Sequence, residues 1–417
     1  MKSAVAVRSG LRRVGWSMSA QIASNGSNFV LTMLIARSVT TAELGIFAIL
    51  MAVNGLAIGV LRGFSAEPMI FGESSVSSYE GARRHNAVVG SSAVLSVCIS
   101  MLLLPVVGIA TGNWLLALIF CAAGCVMGIQ DAIRFILVST GRSRQAFVLE
   151  CVWIAVQLPL IWLVYDKKSL DWLVASWTVG ALCSAVYGML CIRWVFSLRD
   201  ATSWISKSYR IGFVYSSDFL VGGGIAQLVT FLIAAFAGLD AAGEYRAAQM
   251  LLMPLSILTL GLTFALSPEV ARMAAHSQFR RLKSVPYLYA GAIITCAAAI
   301  VGTVSILPGG LLGDLLGESA TGAATLLPFV ALATCVVSVA VGPGLVLRAL
   351  GRVRDAFLLK CMLVVPTIGA VVIGCVYLGA IGAQIGLAAV SFVRAVGIWI
   401  LMNRRMKSQL DSTRGVL

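Results

Sequence analysis

The sequence predicts an all-α polytopic membrane protein with about twelve transmembrane helices in two six-helix lobes and both termini in the cytoplasm. Three observations predict it. Only 12% of the 417 residues are charged and 59% are hydrophobic, with a mean hydropathy of +0.95; a soluble domain carries about 25% charged residues. Apolar runs recur along the whole chain, each near the roughly 20 residues that a spanning helix needs. A short basic turn, "GRSRQAF" at Gly141–Phe147, is also written a second time as "GRVRDAF" at Gly351–Phe357.

The first segment, near 17–36, is the least apolar. Ser17, Gln21, Asn25, Asn28 and Thr32 follow helical spacing and form one polar stripe. Facing lipid, such groups are costly. The stripe therefore faces other helices or a water-filled cavity, and its length favours the cavity, because a packed interface needs only one or two such groups. The basic stretch before it lacks an apolar core with a cleavage site and reads as a retained cytoplasmic start.

The second segment, near 44–66, places Gly55, Gly59 and Gly63 four apart, a seam for close packing, with Asn54 and Arg62 on a neighbouring face. The third, near 87–110, is plainly apolar. The fourth, near 114–138, carries Gln130, Asp131 and Arg134, and Asp131 can pair with Arg134 at i,i+3. Its Cys121 and Cys125 share a face and read as small apolar fillers, not as a metal pair. The fifth and sixth lie near 146–165, with Glu150, and near 171–192.

The seventh segment, near 212–238, has Asp218 and "GGG" at Gly222–Gly224, and lacks the stripe of the first. The eighth, near 245–267, contains Pro254, and the ninth lies near 286–307. The tenth, near 323–347, is interrupted by "VGPG" at Val341–Gly344; prolines in both frees backbone groups and bends a helix. The eleventh, near 356–378, carries Lys360. The twelfth, near 380–402, holds Arg394 about two turns inside.

The repeated turn joins the fourth segment to the fifth, and the tenth to the eleventh. A second match, "IARSVTTAELGIF" (Ile35–Phe47) against "IAAFAGLDAAGEY" (Ile233–Tyr245), joins the first two segments of each half. Related turns on the same membrane side make a parallel repeat. The expected organisation is an N-terminal lobe over 1–195, a cytoplasmic linker over 196–211 and a C-terminal lobe with a basic tail over 212–417. With the N-terminus inside, the outer segments hold only Arg37, Lys167 and Lys168, and nearly all other loop cations fall inside. The net charge of +14 is thus a topological signal, and no nucleic-acid partner is expected.

The two halves, the polar first helix, the "ARSVTTAELGIFAI" junction and the GRxR turn resemble the Wzx-type lipid-linked oligosaccharide flippases. These polysaccharide exporters belong to the multidrug/oligosaccharidyl-lipid/polysaccharide (MOP) superfamily. The resemblance implies a MOP/MATE-like transporter in the cytoplasmic membrane of a prokaryote. It would move a polyprenyl-diphosphate-linked glycan from the inner to the outer leaflet by alternating access, beside membrane lipids and the polysaccharide polymerase and glycosyltransferases of the same pathway.

Arg62, Arg134, Arg348 and Arg394 all fall in the cytoplasmic half of their helices. An arginine there either snorkels to the headgroups or lines a cationic cavity that grips a diphosphate bidentately. The expected headgroup site combines these four with Gln21, Asn25, Asn28 and Asn54, chiefly in the N-terminal lobe. Arg142, Arg144, Arg352 and Arg354 are the expected cytoplasmic access residues. Asp131, Glu150 and Asp218 are candidates for coupling to a proton or sodium gradient, and read equally as ion-pair partners. No cofactor, metal or catalytic residue is expected: the chain has no phosphate-binding Gly-rich loop, nucleophile motif or His-rich set.

Two alternatives share some of these features. A multidrug or cation antiporter of the same superfamily should concentrate acids in its cavity. A membrane-embedded glycan polymerase or glycosyltransferase should need a large outer loop with acids and arginines, whereas "PGGLLGDLLGESATG" has no cation. The twelve helices would also suit a sugar transporter of the major facilitator class, but its basic signature loop between the second and third helices is missing here, where the chain reads "GESSVSSYEGARRHN".

Overall fold

The computed structural model describes residues 2–71, 81–276, 278–307 and 309–414, nearly all of them helical, with no strand among them. Residues 72–80 of the loop discussed above, and the Ser17 side chain, lie outside the described set. Contacts divide the chain into two compact units, Met1–Val39 with Ile46–Leu228, and Thr40–Gly45 with Val229–Leu417.

The first unit is built from α1 (Lys2–Ser38), α2 (Thr41–Ser65), α3 (Glu67–Phe71), α4 (Gly81–Thr111), α5 (Trp114–Ser139), α6 (Ser143–Val164), α7 (Leu170–Ile192) and α8 (Leu198–Phe219). A π-helical turn, Leu220–Gly224, carries α8 into α9 (Ile225–Ala237). Its core gathers Val88, Ile133, Ile136, Leu137, Leu149 and Trp204. α1 packs on α6, with the Trp16 and Phe147 rings 5.4 Å apart.

The seventh segment was expected to belong wholly to the second half, but its residues up to Leu228 cluster with the first unit. The glycine seam of α2 explains this. A Cβ on Gly63 would strike Ser216, one on Gly59 the Phe219 ring, and one on Gly55 the Gln227 side chain. Only bare glycine lets α8 lie this close to α2, and at Gly55 it spares the Gln227 side chain of α9 a tight contact.

The second unit contains α10 (Leu239–Leu251), α11 (Met253–Ala275), α12 (Phe279–Ile306), α13 (Gly309–Leu316), α14 (Ala320–Val339), α15 (Val341–Ala349) and α16 (Val353–Arg414). α10 and α11 meet at a 51° bend, with Pro254 in the first turn of α11. Ala340 separates α14 from α15 just before the VGPG stretch. α16 is broken at Leu378 and Gly379 (φ 58°). It doubles back there, because Gly374 packs against Gly382, and Gly386 against Ala370. The core of this unit includes Val285, Val346, Leu347, Ile398 and Met402.

Both GRxR turns close a helix in the same way. Gly141 and Gly351 adopt left-handed φ of 78° and 71°. The Arg142 N–H donates to the Leu137 carbonyl, and the Arg352 N–H to the Leu347 carbonyl, each at 2.7 or 2.8 Å. These are the long hydrogen bonds of a helix-ending motif that favours glycine. The other repeated junction also meets itself, within the second unit. A Cβ on Gly45 would strike the Leu239 carbonyl, and one on Gly243 would strike the Thr41 carbonyl.

Among the described residues nine helices are long and apolar enough to cross a membrane, or ten with the bent α10–α11 pair. α16 counts once among these although it doubles back, and α1 falls short because of its polar stripe. Each of the twelve expected segments therefore has a helical counterpart.

Candidate functional site

The polar residues of the first unit form a connected cluster at one end of its helices. Arg62 stands in the last turn of α2 and grips Asp131 of α5 with both arms of a fork, Nε to Oδ2 and Nη2 to Oδ1, each at 2.6 Å. Arg134, one turn further along α5, donates to the same carboxylate at 2.9 Å. It also lies 3.5 Å from Glu150 of α6. Glu150 accepts from Gln130 Nε2 at 3.3 Å and is reached by the Ser24 hydroxyl of α1. The four charged side chains keep only 35% (Arg62), 18% (Arg134), 10% (Asp131) and 3% (Glu150) of their exposure.

Two arginines against two carboxylates leave no net charge. The expected Asp131–Arg134 pair is present, and Arg62, expected either at the headgroups or lining a cationic cavity, is bound to the same acid. The cause is tertiary: α2 and α6 each bring one charged residue to the Asp131–Arg134 pair on α5. A charge withdrawn from water must be paired, and the first unit does so within itself. The cluster clamps four helices, α1, α2, α5 and α6. Arg62 is its most exposed member.

The stripe on α1 runs beside this cluster. Gln21, Asn25 and Asn28 are half-buried, while Thr32 is buried. Gln21 Nε2 donates to Asn25 Oδ1 at 3.1 Å, a bond along the helix and not across to a neighbour. The bonds to α6 come from residues off the stripe, with Ser27 Oγ donating to Gln157 Oε1 at 2.9 Å and Ser24 meeting Glu150. The sequence reading passed over Ser24 and Ser27. Small hydroxyls carry no signal of their own in an apolar helix until Glu150 and Gln157 of α6 stand opposite them. Asn54 lines a small cleft between α2, α4 and α5, together with Ser96, Ser100 and Cys121.

The remaining expected residues lie apart from this cluster. Arg142 donates to the Cys191 carbonyl at 2.8 Å, and Arg144, Arg352 and Arg354 are exposed at the two GRxR turns. Asp218 is exposed on α8. In the second unit, Arg348 is exposed at the end of α15. Arg394 is half-buried on α16, its Nε is buried without a hydrogen-bond partner, and no acid among the described residues pairs with it. Among the described residues the ionic cluster has no copy in the second half. In the repeated turn Glu150 aligns with Lys360, and Arg62 matches Leu260 at the offset of the other repeated junction.

These helices and their repeat define a multi-pass membrane protein with the fold of the MOP-superfamily transporters. The inward-facing conformation of a multidrug resistance MATE family transporter of that superfamily superposes with a TM-score of 0.64 at 15% identity, covering 96% of this chain and 95% of the other. The outward-facing conformation of a multidrug resistance MATE family transporter gives 0.62 at 14% identity over 96% of each chain. A MOP superfamily transporter from Pyrococcus furiosus, noted for the reverse polarity of its binding pocket, gives 0.60 at 15% identity over 96% of each. The chain itself belongs to the polysaccharide biosynthesis protein family, which matches residues 11–274. No curated protein matches it.

Proposed function

We propose that the protein is a flippase that moves a polyprenyl-diphosphate-linked oligosaccharide from the inner to the outer leaflet of a prokaryotic cytoplasmic membrane. Membership in the polysaccharide biosynthesis family supports the substrate class. Arg394 is the observation that carries the reading: an arginine half-buried in a spanning helix, with no acid among the described residues to neutralise it, suits a diphosphate. Arg62, Gln21, Asn25 and Asn28 would add contacts in the first unit, and the exposed arginines of the two GRxR turns would gather the headgroup. The polymerase and glycosyltransferases of the same pathway would supply and consume the lipid-linked glycan.

Coupling to a proton or sodium gradient would fall on Glu150 before Asp131. Asp131 is held by three hydrogen bonds from two arginines, whereas Glu150 faces one arginine at 3.5 Å. The multidrug or cation antiporter reading needs an acid left free for a cationic substrate, and among the described residues of the first unit both buried acids, Asp131 and Glu150, are paired with arginine.

The test is translocation of polyprenyl-diphosphate-linked glycan by the full-length protein in vesicles. Arg394→Ala should lower the rate at least about tenfold, since hydrogen bonds to charged groups are worth roughly 1.5–3 kcal/mol. Arg394→Lys keeps the charge but loses the fork, and should be intermediate. Lys360→Ala should be mild. A normal rate in correctly inserted Arg394→Ala would sink the reading and favour the antiporter.

A further inference from the structure

A surface outside this site lies where α7 passes into α8. α7, an apolar span, ends at Arg193 in the left-handed conformation, φ 53° and ψ 50°. An arginine adopts that conformation less readily than glycine. Trp194 packs into the core and meets Phe196 edge-on at 5.8 Å. Just beyond the span, Val195, Phe196 and Leu198 are 65%, 51% and 58% exposed.

α8 then presents two faces. Ala201, Trp204, Ser208 and Gly212 are buried, and the Trp204 indole N–H donates to the Ser65 carbonyl at 3.2 Å. The outward face carries Arg199, Tyr209, Arg210 and Phe213, with exposed Lys207 beside it. Asp200 is the only acid between Asp171 and Asp218. It is already engaged by Arg83 at 2.8 Å. The surface is therefore cationic and apolar at once.

The helical run Leu198–Ala237 has 40 residues. At 1.5 Å per residue it is about 60 Å long, roughly twice the hydrocarbon thickness. Its first turns must lie beyond the acyl chains, at the level of the headgroups. Basic and aromatic residues on one helix face, next to exposed aliphatic ones, are what an anionic membrane surface attracts.

We propose that the α7–α8 junction and the outward face of α8 dock on anionic phospholipid headgroups. Val195, Phe196 and Leu198 pack at the boundary between the headgroups and the acyl chains. Arg193, Arg199, Lys207 and Arg210 meet the phosphates. The proposal is independent of what the protein transports.

The test uses the full-length protein in nanodiscs of phosphatidylcholine alone, or with about a quarter phosphatidylglycerol. Backbone hydrogen exchange is read over residues 193–214. One cation at an anionic surface is worth about fivefold in binding, so exchange should slow about tenfold or more with phosphatidylglycerol. The variant Arg193→Gln/Arg199→Gln/Lys207→Gln/Arg210→Gln should lose that slowing. Arg280→Gln/Arg281→Gln, at another exposed basic turn, should keep it. Arg193→Gly relieves the left-handed backbone, so it should be at least as stable in detergent and yet show a smaller lipid effect. Equal exchange in the two lipids, or full slowing in the fourfold variant, overturns the proposal. So does equal slowing by inorganic phosphate in neutral nanodiscs, which would assign the surface to a free anion, or slowing only when a protein partner is added.

Discussion

Asp131 holds two arginines at once, and that sets what its loss should do. Asp131→Asn leaves Arg62 with only the more distant Glu67 and Arg134 with only the longer contact to Glu150. Breaking a buried pair from one side costs about 3–5 kcal/mol, and thermal unfolding in detergent should show a large drop. Asp200→Asn breaks the exposed pair with Arg83, a kind worth about 0–1 kcal/mol, and serves as the control. If the two variants unfold alike, the cluster is not a clamp. Replacing both partners, Arg62→Met with Asp131→Leu, should recover most of the loss, since Arg134 and Glu150 still balance. The i,i+3 pair of Asp131 and Arg134 is legible in the sequence because both stand on one helix face. The bonds from Arg62 and to Glu150 are not, because they depend on how three helices are set side by side.

α1 shows how far periodicity reaches at the scale of an element. Spacing alone reveals that Gln21, Asn25 and Asn28 share a face, and the structure leaves them half-buried, with Gln21 bonded to Asn25 on its own helix. Which residues hold α1 to α6 was not legible, because Ser24 and Ser27 look like ordinary small fillers until Glu150 and Gln157 stand opposite them. The stripe should be wet in at least one state of the transport cycle. Gln21→Cys, Asn25→Cys and Asn28→Cys, each in a chain freed of its ten native cysteines, should react with polar thiol reagents. Resistance at all three positions throughout transport would make the stripe a packing seam. The glycine seam of α2 has the same history: the spacing announces close packing, but only the fold supplies Ser216, Phe219 and Gln227 as what packs there.

For the whole molecule, two short matches in an apolar chain were enough to expect two related halves. The two GRxR turns then prove to share one backbone geometry, down to the same hydrogen bond. Where contacts divide the chain was not legible, because beyond the α1–α2 turn the division runs inside α2 and α9, where no loop or change in composition marks it. Topology is open to direct measurement. Arg144→Cys and Arg354→Cys, in the same cysteine-free chain, should be labelled by an impermeant reagent only from the cytoplasmic face. Labelling of either from the opposite face would break the parallel repeat and the orientation drawn from the cations. The reciprocal fit of Gly45 and Gly243 has a consequence of its own. Such a contact is isologous: one stretch of chain, used twice, supplies both sides of a single joint. What each glycine faces is a main-chain carbonyl, which has no rotamer to swing aside. A methyl added to either copy therefore meets an obstacle that no change of side chain on the other copy can remove, so the two positions are locked to the same residue although nearly two hundred others separate them along the chain.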